Sequence, residues 1–179
     1  MSDFFELCTR RQSCRKFSDK PVEREKLVRC VEAARLAPSA CNSQPWRFVV
    51  VDDPEAVAKI ARAGQPFGNV NSFLDNAKAF IVLIEEHAVL MPGIRPLLDS
   101  QHFAAGDLGI VSAYLCLEAT AQGLGNCQIG IFNREAICQA LGLDFPQTRI
   151  NTLIAIGYPE SDTIRPKARK PLEEIAQFV

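Results

Sequence analysis

The stretch from Gln101 to about Gln122 constrains this chain most, because it has helical length and is apolar nearly all round. Between Phe103 and Ala121 its polar interruptions are few, chiefly Asp107, Ser112, Glu118 and Thr120. Charged residues inside the stretch favour a buried helix over a membrane span. A helix with no polar face needs cover on two sides. Its own sheet supplies one side. The other is supplied by deep burial or by a second subunit, and we favour the second subunit.

The remaining composition suits one soluble domain over residues 1–179: 47% of residues are hydrophobic and 23% charged, enough for a sizeable core. A formal net charge of -1 argues against a nucleic-acid or membrane partner, either of which favours a broad excess of Lys and Arg. The seven cysteines lie too far apart for any Cys-x-x-Cys pair and, with only His87 and His102, offer no zinc spacing, while their odd number in a core-rich chain fits a reducing compartment better than a disulfide framework. The start, Met1 to Glu6, lacks the basic head and apolar run of a secretory signal, so a cytoplasmic location is expected.

Periodicity predicts a short helix over Asp3–Thr9 and a second from about Glu23 that Pro38 stops. Phe48–Val51 reads as a strand buried on both faces, and Asp52-Asp53-Pro54 caps a helix running to about Ala63. Further strands are expected over Ala79–Ile84, Asn126–Phe132 and Thr152–Ile156, with a helix over Arg134–Leu141. His87–Pro96 reads as an irregular excursion that could cover a site, and the proline-punctuated tail from Tyr158 as a surface wrap.

Three places could carry chemistry. Arg10, Arg11, Ser13 and Arg15 form a basic cluster matched by Lys167 and Arg169 near the other end; guanidinium groups bind phosphate bidentately, although a solvated helix end explains the first cluster equally well. The loop Pro38-Ser39-Ala40-Cys41-Asn42-Ser43-Gln44 joins a helix to a strand and is dense in groups that hydrogen-bond either a flat polar ring or their own backbone. Ile129 and Gly130 close a strand where backbone amides could face a planar ligand, or where a bulge could sit. Gly123-Leu124-Gly125 is not a dinucleotide loop: Gln128 occupies the third glycine position, and the order is helix to strand. Cys41 lies in the candidate loop as filler or as a reactive thiol.

Arg11-Gln12-Ser13-Cys14-Arg15-Lys16-Phe17, then Ala37-Pro38-Ser39 with Asn42, Gln44, Pro45 and Trp46, then Gly123-Leu124-Gly125 leading to Ile129-Gly130, together resemble the FMN-dependent nitroreductase family in order and spacing. The resemblance implies an α+β three-layer sandwich, a mixed central sheet flanked by helices, completed as an intertwined homodimer with residues 158–179 packing on the dimer. It implies that Arg11, Ser13 and Arg169 hold the FMN phosphate, with Gln12 nearby and Lys167 a weaker contributor, and that Arg15 approaches the pyrimidine edge of the ring. Pro38, Ser39, Ala40, Asn42 and Gln44 of the other subunit pack beneath or bond the ring, and amides near Ile129 and Gly130 face N5 and O4. No metal is implied.

The implied activity is hydride transfer from NADH or NADPH, through flavin N5, to a nitroaromatic, quinone or similar electron-poor small-molecule acceptor by a ping-pong mechanism. The alternatives are a dehalogenase or flavin-consuming oxygenase of the same family, a flavin-binding or sensing module without turnover, and a thiol enzyme using Cys41.

Overall fold

The computed structural model describes residues 3–68, 70–91, 93 and 101–179. Its elements in chain order are α1 (Phe4–Arg10), α2 (Arg24–Arg35), β1 (Trp46–Val51), α3 (Pro54–Ala63), β2 (Ala79–Glu85), α4 (Gln101–Ala121), β3 (Gly125–Ile129), α5 (Arg134–Leu141), β4 (Arg149–Gly157) and α6 (Leu172–Ile175). The strands form one sheet in the order β1-β2-β4-β3.

All three strand pairings are antiparallel. Among the described residues the parallel component expected of a mixed sheet enters only as an isolated bridge between Ser13 and Asn126, where the N-terminal segment runs beside β3. Alternation along the two inner strands builds the layers. Phe80, Val82, Ile84, Leu153 and Ala155 face Val57 and Ile60 of α3 and Ile137 of α5. Their neighbours Ile81, Leu83, Ile154 and Ile156 face Leu27 and Cys30 of α2 and Leu108, Val111 and Leu115 of α4. A helix layer therefore covers each face of the sheet.

Two strands differ from the sequence expectation. The Phe48–Val51 run is not buried on both faces: β1 is an edge strand in which only Val51 is buried, while Val50 is 37% exposed. A β-branched run suits any pleated, half-covered strand, so residue type alone did not separate edge from centre. The central positions belong to β2 and β4. The strand expected over Asn126–Phe132 stops at Ile129, because its pairing with β4 ends at Leu153 and the chain turns to Asn133. There the Asn133 side chain caps α5 by accepting from Ala136 N at 3.0 Å.

Helix α4 is covered on one side only. Ala104, Asp107, Leu108, Val111, Leu115 and Ala119 are buried, whereas Ala105, Gly106, Gly109, Ile110, Ala113 and Tyr114 form an exposed stripe at helical spacing. By length and composition alone this helix could cross a bilayer, but half of its most apolar window is buried inside the fold.

The segment after α1 is seated by two glycines. Gly125 and Gly157 face each other across β3 and β4. A Cβ at Gly125 would stand 2.7 Å from Cys14 Sγ, and one at Gly157 would stand 2.7 Å from Phe17 Cδ1. Phe17 is itself buried, so its ring has little room to yield. We expect Gly157→Ala to lower stability by about 2 kcal/mol through overpacking, seen as a drop of about 6 °C in Tm by calorimetry. An unchanged Tm would mean that Phe17 does not depend on this contact.

Candidate functional site

The first half of the site is made where the chain ends converge. Residues 12–18 are held beside β3 and the start of the tail by Cys14 N donating to Asn126 O at 2.8 Å and Ser18 N donating to Tyr158 O at 2.9 Å. The tail then folds back over this segment. Arg165 Nη2 donates to Ser13 O at 2.6 Å, and Lys167 Nζ donates to Arg11 O at 2.5 Å. Arg169 Nη1 donates to Ala168 O at 2.7 Å. The Ser13 hydroxyl lies against the Cys127 thiol.

Three cations thus rest on neutral backbone oxygens close to a fourth, Arg11. Among the described residues, none of Arg11, Arg165, Lys167 and Arg169 forms an ion pair with a carboxylate. Desolvation, then the like charges of Arg11, Arg169 and Arg165, hold the Lys167 ammonium below the usual lysine range. Such crowding opposes folding unless an anion relieves it, and a phosphate fits both the charge and the donor set. A cavity of about 540 Å³ opens beside the cluster, with Gln12, Ser13, Arg15, Glu160, Asp162 and Arg165 among its lining residues.

The Arg15 guanidinium also lies 6.0 Å from the centroid of the Phe73 ring. Phe73 sits in the connection that precedes β2, and Asn71 pins that connection to the end of α3, donating to Gly64 O at 2.9 Å, and to the segment after β3, donating to Ile131 O at 3.1 Å. Arg15, Phe73, Ile129 and Gly130 therefore belong to one side of the sheet. Asn69 lies outside the described residues.

The second half is the loop before β1. Cys41, Asn42 and Gln44 have φ values of 53°, 50° and 49°. Left-handed geometry at a non-glycine residue costs on the order of 1 kcal/mol, so surrounding contacts must impose it. Ser39 Oγ accepts from Gln44 N at 2.9 Å, and Gln44 Nε2 donates to Asn42 O at 3.2 Å. From α4, the carboxylate of Asp107, 6% exposed, accepts from Ala40 N at 3.2 and 3.3 Å. Ser43 Oγ accepts from Val89 N at 2.6 Å, which ties the first residues of the expected excursion to the loop; residues 92 and 94–96 of that excursion lie outside the described set.

These halves do not meet within one chain. The loop precedes β1 at one sheet edge, and the cation cluster flanks β3 at the other. Three strand spacings, about 14 Å, separate the edges before side chains are counted. Of the residues expected from sequence, Arg11, Gln12, Ser13, Lys167 and Arg169 are brought together, with Arg15, Ile129 and Gly130 along the same edge. Pro38, Ser39, Ala40, Asn42 and Gln44 form a separate group.

Sequence reasoning missed Arg165, which lay unnoticed in the same basic stretch as Lys167. It also missed Asp107, whose only signal was a lone acid in an apolar helix. Cys41 is exposed, and its thiol makes no hydrogen bond among the described residues. Burial pushes the Cys30 thiol up to about 12 and the Cys116 thiol up to about 11, which leaves both inert near neutral pH. No group of three or more His, Cys, Asp or Glu side chains suited to a metal occurs among the described residues.

The sequence model of the Nitroreductase family matches residues 8–66 and 68–158. The chain belongs to the nitroreductase family. It is 31% identical over 192 residues to an NADH dehydrogenase of Thermus thermophilus, covering 93% of this chain and 91% of that protein. It is 31% identical over 184 residues to an FMN reductase (NAD(P)H) of Bacillus subtilis, covering 98% of this chain and 73% of that one. A chain from Exiguobacterium sibiricum solved in complex with FMN superposes with a TM-score of 0.85 at 25% identity, over 100% of this chain and 98% of that chain. The three-layer arrangement described above is thus the nitroreductase fold. The matched family span ends at Tyr158, so the part played by Lys167 and Arg169 rests on the convergence of the chain ends.

Proposed function

We propose that this chain is an FMN-dependent oxidoreductase that works as a homodimer and passes hydride from NADH or NADPH to an electron-poor small molecule such as a nitroaromatic or a quinone. One observation carries the reading: in a chain of this family, Arg11, Arg165, Lys167 and Arg169 converge, and among the described residues none of them is ion-paired with a carboxylate. That donor set suits a phosphate monoester.

Bound FMN supplies the redox chemistry, taking up and giving back two electrons with a proton as hydride at N5. Arg11, Ser13, Lys167 and Arg169 hold the phosphate, and Arg15 contributes positive charge that favours the reduced ring. Gly130, with no side chain, leaves the amides at Ile129 and Gly130 open to the ring edge. Pro38, Ser39, Ala40, Asn42 and Gln44 of a second copy complete the ring pocket, which accounts for their distance from the cluster within one chain. The uncovered stripe of α4 is where the second copy packs; its small residues, Ala105, Gly106, Gly109 and Ala113, permit close helix approach. Residues 1–179 then form one FMN-binding domain, with 158–179 as a tail on the dimer.

No acid–base side chain is required, and donor and acceptor take turns in one open pocket in ping-pong order. A reducing cytoplasmic setting suits a protein whose seven cysteines are all unpaired. The test is a visible spectrum of the purified protein followed through anaerobic titration with NADH and with NADPH. Bleaching of the flavin bands and their return on adding a quinone support the enzyme. A bound flavin that neither nicotinamide bleaches would favour a binding module without turnover. Protein that takes up no FMN defeats the reading altogether.

A further inference from the structure

The side chain of Gln12 is occupied at both ends by the tail. Its Nε2 donates to Thr163 O at 2.8 Å. Its Oε1 accepts from Arg165 N at 3.2 Å and from Arg165 Nε at 3.1 Å. These bonds span more than 150 residues of sequence and fix the two residues that lead directly into Lys167 and Arg169. We propose that Gln12 is a positioning residue, a neutral latch that docks the cationic tail onto the Arg11–Ser13 segment before any phosphate arrives. The inference rests on the reading of this cluster as the phosphate end of an FMN site.

The need for a latch follows from charge. Arg165, Lys167 and Arg169 must approach Arg11, and without an anion that approach is repulsive. An ion pair could hold them, but a carboxylate placed there would compete with the phosphate. An amide has both a donor and an acceptor and carries no charge, so it binds the tail without filling the anion site. Backbone carbonyls at Arg11 and Ser13 add acceptors of the same neutral kind.

Docking is read by trypsin, which cuts after Lys167 and after Arg169 but not at the bonds preceding Pro166 and Pro171. In FMN-free protein, Gln12→Ala is expected to raise the rate of cutting after Lys167 about tenfold, because cleavage follows the population of the open tail. Gln12→Glu exchanges the neutral latch for an ion pair with Arg165, so cutting should stay at or below the wild-type rate while FMN binds more weakly, because the carboxylate competes with the phosphate. Saturating FMN should return Gln12→Ala toward the wild-type rate, and the FMN dissociation constant of Gln12→Ala should rise by up to the same factor. Cutting of the FMN-free Gln12→Ala variant at the wild-type rate, with global stability unchanged, overturns the latch. Faster cutting in a protein whose wild type binds no FMN sustains the latch and removes the cofactor reading instead.

Discussion

Arg11→Ala is expected to leave the purified protein colourless, with FMN affinity lowered by about 100-fold. A guanidinium–phosphate contact is charge-assisted and can be bidentate, contributing about 3 kcal/mol at the upper end for hydrogen bonds to charged groups, which corresponds to roughly two decades in dissociation constant. Arg11 also crowds Lys167. Removing it relieves repulsion in the FMN-free state, so the melting temperature of the FMN-free variant should be no lower than that of FMN-free wild type. Arg11→Lys keeps the charge and loses the fork, and should fall between the two. Fluorescence titration with FMN measures the affinity. Flavin retained at wild-type stoichiometry in the alanine variant would remove Arg11 from the site.

Ala113→Arg should yield a monomer without FMN. Ala113 lies in the exposed stripe of α4 with Gly109, Ile110 and Tyr114, where a second copy would pack. A buried unpaired guanidinium at a helix–helix contact costs about 4 kcal/mol, close to a 1,000-fold weakening of association. Within one copy the residue is exposed, so the fold itself should tolerate the change. Sedimentation velocity separates the outcomes: a dimer that still binds FMN would show that α4 is not the shared surface. A monomer that binds FMN as tightly as wild type would show that one chain carries the whole site.

Much of this was legible in the chain because local chemistry and tertiary role agreed. The strand over Ala79–Glu85 and the helix over Arg134–Leu141 have patterns that match their burial, and the helix over Gln101–Ala121 was legible by its length, although its apolar pattern runs on over a face that this chain leaves uncovered. Edge and centre were less legible: β1 and β2 are both apolar, and only strand order decides which of them is covered twice. The basic clusters at the two ends were visible, but their meeting depends on Gly125 and Gly157 lying opposite each other, a cross-strand fact that no linear spacing shows. Gln12 was visible as a member of the N-terminal basic cluster, but the bonds of its amide to Thr163 and Arg165 were not, because those partners lie more than 150 residues away. Asp107 read as an interruption in an apolar helix. Only the approach of Ala40, sixty-seven residues away, shows what it supports.

The placement of the cation cluster and the 38–44 loop at opposite margins of a four-stranded sheet has a genetic consequence. Each reaction centre of the proposed dimer is a mosaic of two polypeptides, so a chain disabled at one margin and a chain disabled at the other repair one another when they pair. Such a hybrid contains one doubly damaged centre and one intact centre. Co-expression of an Arg11→Ala chain with a chain altered in the 38–44 loop should therefore restore bound flavin that neither parent retains alone, up to half an equivalent per polypeptide in the hybrid.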